Sequence, residues 1–180
     1  MKYLKLLRYS FLFLLFLTAC KSEEGSIDNI VSFELGEFKL YKGYQYQDGE
    51  TLSTGSTPFN VFLLGEGVQY DEAISEMSGI GSIIEFTMYS GNEYEIENGF
   101  YTIDIFSYDS IGYAGNCKIY YNYDFDEDTG KIFNVEAGTF DVENLGSVMK
   151  YDISVVADTL LFDGIFRGPI LSLDWLACFT

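Results

Sequence analysis

The run Cys117-Lys118-Ile119-Tyr120-Tyr121-Asn122-Tyr123-Asp124-Phe125 decides the fold class. Its odd positions carry Cys, Ile, Tyr, Tyr and Phe, and its even positions carry Lys, Tyr, Asn and Asp. Successive side chains of a strand point to opposite faces, so a two-residue period means one apolar face and one wet face. The run is expected to be a half-buried strand with Cys117, Ile119, Tyr121, Tyr123 and Phe125 on the core side and Tyr120 pointing away from it.

Outward from this run the same grammar repeats. Met149, Tyr151, Ile153, Val155 and Ala157 alternate with Lys150, Asp152 and Ser154; Leu160, Phe162 and Phe166 form the next apolar parity. Upstream, Ile84, Phe86 and Met88 alternate with Glu85 and Thr87, and Phe59 to Leu64 is a compact apolar strand. Phe38, Leu40, Tyr44 and Tyr46 share a parity that Lys42 breaks beside Gly43, which reads as a bulge on an edge strand. Asp48-Gly49, Ser90-Gly91-Asn92, Asp126 to Gly130 and Asn144-Leu145-Gly146 supply turns. Tyr70 to Met77 has the spacing of one short helix, cut off by Gly79 and Gly81. Two segments look alike, Glu97 to Asp104 and Glu136 to Glu143, each acid-x-Gly-x-aromatic-x-aliphatic-acid. Two copies fall short of a periodic array, and both read as strand entries. Leu173, Trp175, Leu176 and Phe179 are expected to pack as a final strand. Short strands with Gly and Asp turns indicate an all-β chain with little helix, an antiparallel sandwich or barrel.

Composition bounds the function. The chain has 10 Lys+Arg against 28 Asp+Glu and no His. Such a charge repels phosphate backbones and excludes nucleic acid as a partner. Without His there is no Ser–His or Cys–His nucleophile and no usual zinc, iron or copper ligand set. No Gly-rich loop joins a strand to a helix, so nucleotide binding has no support.

The first residues form a leader: Lys2, Lys5 and Arg8, then the apolar run Phe11 to Leu17, then small residues. The run is far short of the roughly 20 residues that span a bilayer. Leu17-Thr18-Ala19-Cys20 resembles the bacterial lipobox. That resemblance implies cleavage after Ala19, lipidation of Cys20 and a membrane anchor in place of a span. Lys21-Ser22-Glu23-Glu24 resembles the acidic export signal of Bacteroidota-type surface lipoproteins, which implies a domain facing outward from the outer membrane. The segment from Gly138 to Ile170 is similar to the C-terminal hairpins of such lipoproteins of unknown function. It implies a β-sandwich or lipocalin-like barrel and brings no activity with it. The organisation expected is a signal peptide over 1–19, a lipidated Cys and acidic tether over 20–29, and one β domain over 30–180.

Candidate site residues are few. Cys20 is the lipidation site. Cys117 and Cys178 remain, either paired or as two buried thiols. Asp124, Asp126 and Asp128 offer alternating oxygen ligands, a weak calcium candidate in a chain otherwise expected to need no cofactor. Their loop departs from the EF-hand pattern, with its Gly one position late and no closing Glu, and it also reads as a solvated hairpin tip. Tyr120, Tyr41 and Trp175, with Tyr44 and Tyr46, are candidates for a platform that stacks sugar rings; the same residue types also serve cross-strand packing. The function expected is a non-catalytic binding or accessory module for a glycan or a partner protein. The alternatives are a carboxylate-dependent glycan hydrolase, which needs two acids a set distance apart, and an envelope protein with no ligand.

Overall fold

The computed structural model describes residues 29–104 and 109–173. The leader, Cys20, nearly all of the tether, Trp175 and Cys178 lie outside the described residues. The chain folds as one all-β domain of eleven strands: β1 (Ile30–Phe33), β2 (Gly36–Gln47), β3 (Thr57–Gly65), β4 (Val68–Asp71), β5 (Glu76–Ser90), β6 (Gly99–Asp104), β7 (Tyr113–Asp124), β8 (Thr129–Asn144), β9 (Met149–Ala157), β10 (Leu160–Gly168) and β11 (Ile170–Ser172).

The ladder closes on itself. In the order β1, β2, β3, β5, β7, β8, β9, β10, each strand pairs antiparallel with the next, and β10 pairs antiparallel with β1. Eight staves therefore form an up-and-down barrel, the closed form of the two architectures expected, and closure removes the open edges of a sheet. Two parallel pairings make the sheet mixed: β6 lies between β8 and β7, and β11 runs beside β2.

The interior is apolar. One apolar cluster takes Phe33, Leu40, Phe59, Phe86, Ile119, Phe140, Tyr151 and Phe162 from the eight staves, with Cys117 among them as a buried free thiol. Phe86 and Phe140 stack across the barrel with centroids 4.3 Å apart.

Bulges decide which residues reach this interior. On β2 the register shifts between Leu40 and Lys42. Phe38 and Leu40 point in, but beyond the shift Lys42, Tyr44 and Tyr46 pair with Leu64, Phe62 and Asn60 on the outer side. The bulge is where the glycine and lysine placed it. The single parity from Phe38 to Tyr46 is corrected, and so is the edge strand: β2 is paired on both sides and Lys42 lies outside, with Nζ 5.0 Å from the Tyr44 ring centroid. A second shift, between Tyr121 and Asp124, passes through Asn122 at φ 47°. It leaves Tyr121 against the core but turns Tyr123 and Phe125 to the outer side, where both rings meet Tyr120. The expectation that both face the core is corrected for that reason.

Two further expectations change. Residues 70–77 form no helix; β4, a four-residue turn and the start of β5 make a hairpin. Gly79 and Gly81 do not terminate an element but lie inside β5. A Cβ on Gly79 would stand 2.2 Å from the Gly67 carbonyl oxygen, and one on Gly81 2.4 Å from that of Glu66, so glycine is required by close backbone approach. The look-alike segments prove to be hydrogen-bonded partners, running from Gly99 opposite Val142 to Asp104 opposite Ala137.

Candidate binding site at the barrel mouth

At the end of the barrel where β2, β5, β8 and β10 finish, two turns meet. The β5–β6 connection is built on Ser90, whose hydroxyl donates to the Glu95 carbonyl at 2.8 Å and accepts from the Asn92 and Glu97 amides at 3.2 and 3.3 Å. The Asn92 carboxamide oxygen accepts from the Tyr94 amide at 2.8 Å, a local turn of the kind Asn favours. Ile96, fully buried, pins this loop into the core, and the Tyr101 hydroxyl donates to the Glu97 carbonyl at 3.0 Å. The loop is thereby held from both sides while the Tyr94 ring, 83% exposed, stands in solvent.

Asn144, at the end of β8, ties the second turn to the first. Its backbone amide donates to Asn98 Oδ1, its Nδ2 donates to Glu95 Oε2 at 3.1 Å and to the Ile96 carbonyl, and its Oδ1 accepts from the Gly146 amide at 2.9 Å. On the opposite wall Gln45 Nε2 donates to Ser172 Oγ at 3.3 Å, while Gln45 Oε1 is buried and has no hydrogen-bond partner among the described residues. The bulge in β2 is what turns Gln45 toward the barrel end instead of outward.

These groups line a concavity in two connected parts. One, of about 210 Å³, lies between Gln45, Tyr94, Glu95, Asn144 and Ser172. The other, of about 670 Å³ and more open, lies over Asn92, Glu95, Glu97 and Asn98. Glu95, Asn144 and Gly146 line both. The lining offers amide donors and acceptors, carboxylates and hydroxyls around one exposed ring. It can accept and donate hydrogen bonds to a polyhydroxylated ligand while Tyr94 covers an apolar ring face.

The residues singled out from sequence lie elsewhere. Tyr120 is half-buried on the outer face, its ring 5.2 Å from Tyr123 and 5.5 Å from Phe125, and its hydroxyl donates to Glu85 Oε2 at 3.2 Å. Burial first, then the Glu85 charge, pushes its pKa up to about 12. Tyr41 is 52% exposed and donates to Glu66 at 3.4 Å. Neither lines the mouth. Trp175 lies outside the described residues. The three aspartates of the β7–β8 turn do not converge. Asp124 Oδ1 accepts from the amides of Asp126 and Glu127, Asp126 Oδ2 from the Gly79 amide, and Asp128 Oδ1 from the Tyr123 hydroxyl. Among the described residues no group of three or more acids or cysteines is placed to hold a metal ion.

Tyr94, Asn144 and Gln45 were missed. Both turns were legible, but some fifty residues separate them. The one signal that could have joined them was the likeness of 97–104 to 136–143, since those segments pair and carry Asn98 to Asn144. No known protein family matches this chain, no characterised protein matches its sequence, and no solved structure matches its fold.

Proposed function

We propose that this chain is a non-catalytic glycan-binding module, held by lipid on Cys20 at the outer membrane and facing the cell surface, with its site at the barrel mouth. The observation that carries the reading is the concavity of amides, hydroxyls and carboxylates around the exposed Tyr94 ring. Four facts support it. The described barrel interior is lined by apolar side chains, whereas the hydrogen-bonding groups that suit a sugar lie at the mouth. The formal net charge of −18 opposes polyanions and favours neutral sugars. The leader and Leu17-Thr18-Ala19-Cys20 carry the anchoring part of the reading. Glu95 is already engaged by Asn144, which suits a positioning acceptor better than a nucleophile.

The test is an array of neutral oligosaccharides probed with the detergent-solubilised full chain, followed by calorimetry on the best binder. Tyr94→Ala is expected to weaken binding by about tenfold, the loss of one stacked ring face. Retention of no neutral glycan, or binding indifferent to Tyr94→Ala, overturns the reading. Release of new reducing ends from a bound oligosaccharide would make the chain a hydrolase instead. Cys20→Ser is expected to move the protein from the membrane to the soluble fraction, and protease added to intact cells to degrade the native form.

A further inference from the structure

We propose that Gln45 sets the specificity of the barrel mouth, selecting a sugar with a free primary alcohol whose hydroxyl enters the smaller concavity and donates to Gln45 Oε1. The inference rests on the glycan reading above and names the group of the glycan that the site reads. Gln45 pairs with Val61 on β3 and with Ser172 on β11. Val61 is fully buried in the core cluster, and residues directly opposite on neighbouring strands share a face. Gln45 and Ser172 therefore lie on the inner side of the sheet, where the apolar cluster gives way to the mouth.

The Gln45 carboxamide is only half satisfied. Its Nε2 donates to Ser172 Oγ at 3.3 Å, but its Oε1 is buried and has no hydrogen-bond partner among the described residues. A buried acceptor left unpaired is costly, and a donor from a bound molecule would remove that cost. The bond to Ser172 is long and the terminal torsion of a glutamine is broad, so a small turn of the carboxamide brings Oε1 to the concavity that Gln45 lines. Ser172 Oγ accepts from Gln45 and keeps a proton to donate.

An acceptor and a donor that adjoin are matched by one atom that does both, and a hydroxyl oxygen is such an atom. A secondary amide, as in an acetamido group, holds its N–H and C=O on opposite sides and answers only one of the two. An ammonium donates and cannot accept. The hydroxyl must also come on an arm, because Oε1 lies below the surface. The same concavity is lined by the apolar side chains of Met149 and Ile170. A CH₂–OH group suits both conditions: its methylene meets the apolar walls and its oxygen reaches Gln45 and Ser172, while the sugar ring stays at the opening beside Tyr94. Hydroxyls attached directly to the ring stop short.

The test is calorimetry on the full chain with the methyl glycosides of glucose, galactose, mannose and N-acetylglucosamine, each beside its 6-deoxy and 6-O-methyl counterparts. At least one parent sugar is expected to bind about tenfold or more tighter than both of its counterparts. The 6-O-methyl ether still accepts from Ser172 but has no proton for Gln45, so it isolates the bond to Oε1. Gln45→Met keeps the length of the side chain and removes the acceptor. It is expected to bring the parent sugar down to the affinity of its 6-deoxy counterpart without lowering the urea midpoint. A counterpart that binds as tightly as its parent overturns the proposal, as does a preference for the parent that survives Gln45→Met. Either result, with binding still dependent on Tyr94, leaves the glycan reading standing. Binding of other neutral glycans but of none of these four parents also overturns the proposal alone, whereas retention of no neutral glycan at all overturns both. Should Gln45→Met fail to fold, the parents and counterparts on the unaltered chain still decide.

Discussion

The Tyr120 hydroxyl donates to the Glu85 carboxylate at 3.2 Å, and this bond ties β7 to β5 on the outer face of the barrel. Burial and the nearby negative charge both disfavour the phenolate, so the Tyr120 pKa rises to about 12 from an ordinary value near 10. Burial likewise raises Tyr46 and Tyr101. A group whose folded pKa is raised binds more protons folded than unfolded. Its stabilisation is complete below about pH 10 and is lost as pH climbs toward 12. The phenolate absorbance of these shielded tyrosines is expected to appear in a second, later step, together with loss of the fold. Tyr120→Phe should shrink the second step and cost under about 1 kcal/mol at neutral pH, the worth of one half-exposed hydrogen bond. One simple transition at ordinary tyrosine pKa with the circular dichroism intact would refute this.

Gly67 and Gly79 interlock where the β4–β5 hairpin crosses back. Both have positive φ, 85° and 88°, and a Cβ on either would stand within 2.3 Å of a carbonyl oxygen. Gly49, at φ 92°, has nothing within 4 Å of its Cβ position. Alanine at Gly49 meets only the left-handed backbone penalty, roughly 1–2 kcal/mol. Alanine at Gly79 meets that penalty and forces the two backbones apart. Gly79→Ala is therefore expected to be the more destabilising by at least about 1 kcal/mol, read from urea midpoints. Equal losses would show that the hairpin yields freely.

How much of this was readable from the chain depends on which feature is asked about. The staves were legible because Ile84 to Met88, Cys117 to Tyr121 and Met149 to Ala157 hold one parity through their length. The faces were not legible where a bulge intervenes. Tyr44, Tyr46, Tyr123 and Phe125 carry residue types that suit either side, so nothing marks the extra residue except Gly43 or an Asn at φ 47°. Closure was invisible for another reason: it rests on the four residues of β1, whose partners lie in β2 and at the far end of the chain in β10. The mouth depends on that closure. Asn144 was read as a turn residue and Asn98 as part of a strand entry, and only the pairing of β6 with β8 makes them neighbours.

Tyr151 is fully buried among Phe86 and Phe166, and its hydroxyl finds no hydrogen-bond partner among the described residues. A buried hydroxyl without a partner costs on the order of 1–3 kcal/mol. Tyr151→Phe keeps the ring and removes that cost, at the price of a cavity of one oxygen atom. The variant is expected to be as stable as the parent or more stable by about 1 kcal/mol, measured by denaturant unfolding. A loss of more than about 1 kcal/mol would mean that the hydroxyl is satisfied in solution.

Asn144 and Tyr94 should separate stability from binding at the mouth. Asn144 Nδ2 holds Glu95 and the Ile96 carbonyl, and its Oδ1 caps the Gly146 amide. Alanine there strips three bonds, two of them to groups near solvent, and is expected to cost about 1–2 kcal/mol. Amide exchange at Gly146 should quicken more than exchange in β9. Tyr94 is 83% exposed and touches little, so Tyr94→Ala should leave the melting temperature unchanged. If neutral glycans bind at this end, both variants weaken binding, but only Asn144→Ala does so with a loss of stability. A Tyr94→Ala variant that melts several degrees lower would place that ring in the packing of the loop, and its loss of affinity could then no longer be assigned to stacking.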